Sequence, residues 1–530
     1  MAIRITCYGG VGQIGGNKVL LEDVATGGRL FLDFGIPFGE RRRYFEEYLN
    51  PRASAGLLDL IELGLVPPFR GLYRPDLLDL PEIQERIAAF PDLSREGRPP
   101  VDAVLLSHAH LDHSGYISFL RQDVPVVSTA MTAALTKAIQ DTASGGSDLE
   151  REVAYFTPKL KRQERASAGR FYLGSSPARN AAYQLRPMLV TDAVTGDEEW
   201  RRFWLQSRAR RKGIAGPLPQ QLEQGALGWG LKSLPVDHSI FGAAAFAVET
   251  SAGWVGYTGD LRFQSKRGTD TVAAMEILQG LRLKALIGEG TRLGDDRQGS
   301  EEEVYERSLA AVRRTTGLVV ADFGPRNIER LEVFHAISVE TGRPLVVLDK
   351  DAYLLSAMRL ADSSVPDLRG DDILIYSDRG EDSRGWQDVL RERHGARYLA
   401  PDELQGRGRD YILCFSFLDL KHLVDIAPQG GAYIYSTSEA HNEEERLDLR
   451  RLQNWVAHFQ MAFVGDPERE SGYHASGHAS ESELARFVRE VSPGYFIPLH
   501  SEQPRRYLEL LAGTAIEVRL PEYGVPLVFT

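Results

Sequence analysis

The chain has 530 residues, of which 43% are hydrophobic and 26% charged, and its formal net charge is −12. This composition predicts a folded protein with a large core and argues against a protein that coats nucleic acid through an overall positive charge. A prior of about 150 residues per domain predicts roughly three structural units. The two cysteines, Cys7 and Cys414, form no disulfide framework or CxxC site, so we expect a reducing, cytoplasmic location.

The first 36 residues have the alternating pattern of strands. MAIRITCYGG lacks an apolar signal segment and no run approaches about 18 apolar residues, so we expect no signal peptide and no membrane span. Gly10, Gly12 and Gly15 fit the G-x-G-x-x-G pattern of a dinucleotide site, with Asp33 further along. GNKVLLED then alternates like a strand and opens no helix, so we interpret the glycines as a turn and reject the cofactor.

A buried-type strand, VDAVLLS, follows a mixed region at 40–100 and runs directly into SHAHLDHSG. Four ligand-type side chains within six residues are hard to explain as packing. His108 and His110 can point the same way and share one ion, whereas Asp112 and His113 can reach a second ion. Imidazole combined with carboxylate suits zinc, with manganese as the alternative, so we predict a metal centre here.

The stretch 151–212 is basic, with 14 Lys or Arg against six Asp or Glu, and aromatic residues are interleaved. Two interpretations stay open. The stretch can be a solvated helical hairpin whose aromatic side chains pack inward. It can also be a nucleic-acid-binding surface that follows the phosphate backbone and stacks bases on its aromatic rings. In that case Arg208, Arg210, Arg211 and Lys212 contribute positive charge.

Strand patterns return at 232–263, and a helix at 270–281 and the strand KALIGEGT follow. From residue 301 helices alternate with strands such as GLVVADF and PLVVLD, which predicts an α/β unit with a parallel sheet. GYHASGHAS then places His474 and His478 among small residues, before a helix at 481–491 and the strand GYFIPLH.

These motifs resemble the metallo-β-lactamase superfamily, whose signature is HxHxDH. Outside 40–100 and 140–232 the chain is similar to the β-CASP branch of nucleic-acid-processing enzymes, and within it to ribonuclease J-like proteins without a C-terminal extension. The resemblance implies an α/β fold, in which an αββα sandwich carries an inserted β-CASP α/β domain. The implied domains are 1–300 with an insertion at about 140–232, then 301–465, then 466–530, which completes the sandwich.

The resemblance also implies the site and its two divalent ions. One ion is implied to bind His108, His110, His238 and Asp260, and the other Asp112, His113, Asp260 and His500. Asp33 is implied to orient the ligands from behind. His478 matches the general acid, Glu289 the carboxylate that orients it, and Asp112 belongs to the catalytic set. The implied substrate contacts are His474, Ser476 and Arg326. The chain departs from the family pattern at 323–327, FGPRN where F-A-S-N is usual, and at 435–441.

The implied function is a two-metal phosphodiesterase that cleaves single-stranded RNA, as an endonuclease and with 5′→3′ exonuclease activity in addition. A hydroxide between the ions attacks, and His478 protonates the departing oxygen. The alternatives are a single-stranded DNA nuclease of the same branch, a small-molecule metallohydrolase and a non-catalytic RNA-binding subunit. The expected partners are RNA and a second copy of the chain in a homodimer, with no membrane.

Overall fold

The structure is a computed structural model that describes residues 2–46, 48–143, 155–157, 161–166, 169–174, 183–194, 196–206, 214–297, 299–324, 327–370, 373–378, 385–437, 443–467 and 469–530. The strands are β1 (Ile3–Cys7), β2 (Val19–Asp23), β3 (Gly28–Leu32), β4 (Ala103–Leu105), β5 (Val126–Ser128), β6 (Phe156–Thr157), β7 (Arg162–Arg165), β8 (Phe171–Gly174), β9 (Tyr183–Leu185), β10 (Met188–Val190), β11 (Ile214–Ala215), β12 (Gln220–Gln221), β13 (Gly230–Pro235), β14 (Ala244–Thr250), β15 (Gly253–Tyr257), β16 (Ala285–Gly288), β17 (Leu318–Asp322), β18 (Leu345–Leu348), β19 (Ile373–Tyr376), β20 (Tyr398–Leu399), β21 (Ile412–Cys414), β22 (Gly431–Tyr435), β23 (Met461–Val464), β24 (Tyr495–Pro498), β25 (Glu517–Val518) and β26 (Leu527–Phe529).

The α-helices are α1 (Phe38–Arg42), α2 (Leu58–Glu62), α3 (Pro81–Ile87), α4 (Leu111–Ser114), α5 (Ala130–Thr142), α6 (Glu198–Leu205), α7 (Gly268–Gly280), α8 (Glu301–Arg314), α9 (Ile328–Thr341), α10 (Asp349–Ala361), α11 (Gly385–His394), α12 (Pro401–Leu404), α13 (His422–Ile426), α14 (Glu443–His458), α15 (Glu481–Val491) and α16 (Arg506–Leu510). Among the residues just given, no helix combines the length and apolar character that a membrane crossing requires.

Two sheets pack face to face in the part of the fold that carries the candidate site. The first has the strand order β12-β10-β5-β4-β3-β2-β1-β26, and the second β13-β14-β15-β16-β24-β25. Alternate residues point between the sheets, so Ile3 and Ile5 share a core with Val255 and Tyr257. The outer faces pack against α5 on one side and against α7 and α15 on the other. The predicted αββα sandwich is confirmed, and we call it the sandwich below.

A third sheet draws its strands from 318–464 and has the order β20-β19-β18-β21-β17-β22-β23, with every pair parallel. Helices α8 to α11 cover one face and α12 to α14 the other. Burial on both faces explains why strands such as LVVL of β18 are continuously hydrophobic. The predicted parallel α/β unit is therefore present, and we call it the third-sheet unit.

The chain returns from the third-sheet unit to the sandwich. Strand β24 pairs with β16 in the second sheet, and β26 pairs with β1 in the first. The segment after β24 therefore reaches the same end of the sandwich as the loops after β4 and β15. The bounds 1–300, 301–465 and 466–530 stay a prediction.

The early glycines form a turn, as the alternating sequence after them predicts. Gly10, Gly12 and Gly15 have φ of 72°, 65° and 78°, a region that glycine enters without strain. They connect β1 to β2, which pair antiparallel with Ile3 opposite Asp23. No helix opens at the third glycine in this described stretch, so the rejection of a dinucleotide site is consistent with the fold.

The basic stretch contains short strands and one helix in its described part, so the helical-hairpin interpretation is wrong there. Strands β6 to β10 and helix α6 occupy it. Tyr155 and Trp204 are buried, whereas Arg201 and Arg202 are exposed. The aromatic side chains therefore contribute to packing. Four of the basic residues lie within 207–213, outside the described residues, so the interpretation as a nucleic-acid-binding surface stays a prediction.

A buried ionic cluster joins the sandwich, the basic stretch and the third-sheet unit. Lys137 Nζ lies 2.5 Å from Asp141 Oδ2, and both side chains are almost fully buried. Tyr353 of α10 donates to Asp141 at 2.9 Å, and Tyr155 of the basic stretch donates to the other carboxylate oxygen. Three parts of the chain thus share one carboxylate, which fixes their relative positions.

Candidate metal centre

The HxHxDH segment leaves the carboxyl end of β4 and enters the short helix α4. The Asp112 carbonyl accepts hydrogen bonds from the backbone N–H groups of Gly16 and Asn17, at 3.0 and 3.1 Å. A Cβ on Gly35 would lie 1.7 Å from the same carbonyl oxygen, so only glycine allows this close approach. The turn that carries the predicted ligands is therefore held by the backbone of the loops before β2 and after β3.

Three histidines and one aspartate form the first group of predicted ligands. His110 Nδ1 lies 3.1 Å from His108 Nε2 and 3.2 Å from His238 Nε2. Asp260 Oδ2 is 3.6 Å from His108 Nε2 and 3.8 Å from His238 Nε2. Three different loops, after β4, β13 and β15, thus bring four ligand atoms together.

The second predicted group lies beside the first and shares Asp260 with it. Asp112 Oδ2 is 3.2 Å from His500 Nε2 and 3.6 Å from His113 Nε2. Asp260 Oδ2 lies 3.2 Å from His113 Nε2. His500 follows β24 and has φ of 52°, a conformation that non-glycine residues rarely adopt outside functional or strained positions.

The donor set fits divalent metal ions. Within the described residues, three triads of these side chains have ligand atoms within 4.8 Å of one another, and two more triads include His478 or Glu289. His113 Nε2 and Asp260 Oδ1 are buried and make no hydrogen bond to any described residue. Buried polar atoms are normally paired, and a metal ion would satisfy both atoms.

Two of the histidines and the shared aspartate have protonation states that suit metal binding. Burial and the neighbouring imidazoles lower the pKa of His108 and His238 well below the usual histidine range. Both rings are therefore neutral, which is the form that binds a metal. Burial raises the pKa of Asp260, but the imidazoles of His500 and His113 lower it by more, so this carboxylate stays ionised.

Asp33 lies behind the cluster, in contact with His113, and its orienting role, which the family resemblance implies, stays a prediction. Its Oδ2 lies 2.7 Å from His113 Nδ1 and accepts hydrogen bonds from Ser107 Oγ at 2.7 Å and Tyr257 OH at 2.6 Å. Asn17 Nδ2 donates to the Tyr257 hydroxyl at 3.0 Å. The sequence reasoning missed Asn17, Ser107 and Tyr257. Ser107 adjoins the motif, but the other two are recognisable only in three dimensions.

His478 and Glu289 form a pair at the edge of the cluster. Glu289 Oε2 is 3.0 Å from His478 Nδ1, and the carboxylate is also fixed by the Leu261 N–H at 2.7 Å. The His478 ring is 5.0 Å from the His238 ring, and 22% of its side chain is exposed. Burial lowers the His478 pKa, but the Glu289 carboxylate, helped by Asp260 and Asp112, raises it to about 9. The ring can therefore hold a proton and face solvent.

Family comparisons match the two segments that carry this site. The model of the Metallo-beta-lactamase superfamily matches residues 77–169, which include the HxHxDH segment. The model of the Zn-dependent metallo-hydrolase RNA specificity domain matches residues 468–521, which include His478 and His500. Ribonuclease J of Mycobacterium tuberculosis is 22% identical over 99% of this chain and 74% of its own length. These matches make the chain similar to ribonuclease J-like members of the metallo-β-lactamase superfamily.

Two further relatives and one solved structure are also similar to the chain. Ribonuclease J of Mycolicibacterium smegmatis is 21% identical over 99% of the chain and 73% of its own length. That of Mycoplasma pneumoniae is 23% identical over 50% of the chain and 45% of its own length. A protein of unknown function from Enterococcus faecalis, solved by crystallography, has a TM-score of 0.64 and 19% identity over 100% of both chains. That last likeness concerns the fold alone.

The chain opens a cleft of about 2480 Å3 at this site. The cleft is lined by residues of the sandwich, such as His110 and His478, and of the third-sheet unit, such as Lys350. The predicted substrate contacts His474 and Ser476 are half-buried and line the same cleft, and Ser476 Oγ accepts the His478 N–H at 3.1 Å.

The two departures from the family pattern lie only partly within the described residues. Arg326 lies outside the described residues, as does most of the departure at 435–441. Asn327 is described, and its Oδ1 caps helix α9 by accepting the Arg330 N–H at 3.1 Å. The asparagine of this motif therefore has a structural role at the start of a helix.

Proposed function

We propose that the chain is a two-metal phosphodiesterase that cleaves single-stranded RNA. One observation carries this proposal. The His478–Glu289 pair lies beside the cluster of ligand atoms, opens to a large cleft, and belongs to a segment that matches an RNA specificity domain. The relatives named ribonuclease J support RNA as the substrate class.

Two divalent ions, zinc or alternatively manganese, are proposed to bind the two groups that share Asp260. The residues of the first group are His108, His110, His238 and Asp260, and those of the second are Asp112, His113, Asp260 and His500. When bound, such ions supply Lewis-acid chemistry, which lowers the pKa of water and neutralises charge on a phosphodiester. Asp33 would hold the orientation of His113 through their hydrogen bond.

His478 is proposed to give a proton to the departing oxygen. Its Nδ1 faces Glu289, so Nε2 is the atom available to the cleft. Glu289 fixes the ring plane and favours the protonated form, because its charge and hydrogen bond raise the His478 pKa. His474 and Ser476 are proposed to contact the phosphate backbone, since both line the cleft beside His478.

Two other functions compete with this one. A single-stranded DNA nuclease would use the same side chains, so only the choice of substrate separates it from the RNA enzyme. A small-molecule hydrolase fits less well, because ligand pockets for such substrates are usually about 300–1,000 Å3. The cleft here is about 2480 Å3. A cytoplasmic location, a homodimer and the predicted domain bounds are proposals of the same kind.

The test compares labelled single-stranded RNA and DNA of identical sequence, with the metal-stripped protein and with zinc or manganese restored. We expect metal-dependent cleavage of RNA in preference to DNA. His478→Ala should keep bound metal and fold but lose cleavage, whereas Asp260→Ala should lose metal as well. His458→Ala, at an exposed position on α14, is the control and should behave like wild type. Wild-type cleavage by His478→Ala, or hydrolysis of small esters without cleavage of either polynucleotide, would refute the proposal.

A further inference from the structure

We propose that two buried arginines, Arg262 and Arg330, position the segment that carries His478. We call this segment, residues 471–480, the acid loop; the inference rests on the proposed function, which gives the loop its role. All ten residues are described, and they form neither helix nor strand. Their backbone carbonyls therefore need hydrogen-bond donors from other parts of the chain.

The two arginines supply donors to two carbonyls of the acid loop. Arg330 Nη1 donates to the Tyr473 carbonyl at 3.2 Å, and Arg262 Nη1 donates to the Ser476 carbonyl at 3.2 Å. Tyr473 and Ser476 are three residues apart, and Ser476 is two residues before His478. The two contacts thus fix the backbone at Tyr473 and at Ser476, shortly before the proposed acid His478 in the chain.

Two further carbonyls of the loop are held from the sandwich. The Gly477 carbonyl lies 2.5 Å from His238 Nδ1, and Arg292 Nη1 donates to the His478 carbonyl at 3.4 Å. A predicted metal ligand therefore touches the acid loop directly. These contacts come from the sandwich alone, whereas Arg330 belongs to the third-sheet unit.

Arg262 is clamped between the two parts of the protein. Its side chain is only 1% exposed, and Nε donates to Asp237 Oδ1 at 3.1 Å, one residue before the predicted ligand His238. Its Nη2 donates to Glu329, at the start of α9 in the third-sheet unit. The guanidinium thus contacts the acid loop, the loop after β13 and helix α9 at once.

Arg330 follows Glu329 in helix α9, and its side chain is fully buried. Its Nε and Nη2 form a two-pronged pair with Glu301 of α8, at 2.8 and 3.0 Å, while Nη1 donates to Ser436 and Tyr473. Successive residues of α9 therefore present a carboxylate to Arg262 and a guanidinium to the acid loop. Any displacement of the start of α9 would act on both points.

The planar fork of arginine explains why the residue type matters. A guanidinium can bind a carboxylate and a carbonyl simultaneously in fixed directions, whereas a lysine ammonium has three rotatable donors and no plane. Lysine at either position would keep the charge but lose part of this set of contacts. A misplacement of about 1 Å at a catalytic group can cost about 100-fold in rate.

The experiment uses Arg262→Lys and Arg330→Lys in the full chain, with Arg343→Lys as the matched control. Arg343 is a buried arginine of the third-sheet unit that donates to the Gly317 and Tyr411 carbonyls, away from the cleft. Hydrogen–deuterium exchange measures the acid loop directly, and metal content is measured in parallel. We expect faster exchange at 471–480 in the two test variants, unchanged exchange there in the control, and unchanged metal content in all three.

Cleavage of two substrates gives the second readout. A ribo-oligonucleotide needs a proton on its departing oxygen, whereas bis(p-nitrophenyl) phosphate releases a stable nitrophenolate without one. We expect kcat on RNA to fall about 100-fold in the test variants, and kcat on the nitrophenyl diester to stay close to wild type. If a lysine variant does not fold, Glu329→Gln weakens the ion pair that holds Arg262 and leaves both arginines in place. It should also speed exchange at 471–480 and lower kcat on RNA.

The outcomes separate this inference from the proposed function. Unchanged exchange at 471–480 in the test variants overturns the positioning role, whatever the activity. An equal loss of kcat on both substrates also overturns it, because it indicates general damage. If wild type cleaves neither substrate while exchange in the loop rises as expected, the proposed function fails and the positioning of the loop stands.

Discussion

Replacing Glu289 by glutamine removes one charge next to His478 and keeps the side-chain volume. The Glu289 side chain is 1% exposed, with Oε2 at 3.0 Å from His478 Nδ1. Its Oε1 accepts the Leu261 N–H at 2.7 Å, and a glutamine carbonyl can accept that same hydrogen bond. The substitution therefore tests the carboxylate charge while the local packing is preserved.

The size of the effect follows from the interaction that is lost. A hydrogen bond to a charged group contributes about 1.5–3 kcal/mol, and each 1.4 kcal/mol or so is tenfold in rate. We therefore expect kcat on RNA to fall about 10- to 150-fold. Burial lowers the His478 pKa and Glu289 is the largest of the groups that raise it to about 9, so the variant has a lower pKa. A general acid works only while protonated, so the alkaline limb of the pH profile should move to lower pH.

The assay is kcat on a ribo-oligonucleotide across pH with saturating metal. Glu481→Gln is the control, because Glu481 is a buried carboxylate just after the acid loop. Its carboxylate accepts hydrogen bonds from Arg506 and from the Gly294 N–H, away from His478. We expect the control to retain the wild-type profile. A Glu289→Gln enzyme with wild-type kcat and an unmoved alkaline limb would show that Glu289 does not orient the proton donor.

Three other predictions follow from buried polar groups. Tyr257→Phe removes the 2.6 Å hydrogen bond to Asp33 and should weaken metal binding about 10- to 100-fold; an unchanged Kd in a titration against a chromophoric chelator would contradict this. Asp141→Asn leaves the buried Lys137 charge uncompensated and should lower the free energy of unfolding by about 3–5 kcal/mol in urea titrations; a loss below about 1 kcal/mol would show the cluster to be unimportant. Burial raises the pKa of Asp322 to about 7, so the folded state resists its ionisation and loses stability as pH rises from about 4 to 7. Asp322→Asn should therefore gain up to about 4 kcal/mol relative to wild type between these pH values, and a constant difference in unfolding free energy would refute the burial argument.

Four of the predicted ligands, from His108 to His113, could be proposed from the sequence because their signal is local. His108 to His113 follow a hydrophobic strand, and the carboxyl ends of parallel strands meet at one edge of a sheet. His238, Asp260 and His500 also lie just beyond strands, and resemblance to a known family selected them from other candidates. The αββα order was implied in the same way, since strand and helix periodicity alone does not determine which sheets pack together.

The supporting residues could not be found in this way. Tyr257 is an ordinary strand tyrosine in the sequence, and its contact with Asp33 spans 224 residues of chain. The basic stretch was predicted to be either a helical hairpin or a nucleic-acid-binding surface, because its charge pattern has no strand periodicity. Its described part contains strands whose aromatic neighbours pack against α5 and α10, a contact that depends on the third-sheet unit.

The predicted metal ligands and the acid loop are held by different sets of contacts, and this difference matters for regulation of the site. The predicted metal ligands lie on loops of the sandwich or, for Asp112 and His113, in its short helix α4, so the third-sheet unit contributes none of them. The acid loop, by contrast, is held by Arg262 and His238 from the sandwich and by Arg330 from the third-sheet unit. A small shift of α9 relative to the sandwich would therefore act on the acid loop through Arg330, and on the loop of His238 through Arg262 and Asp237.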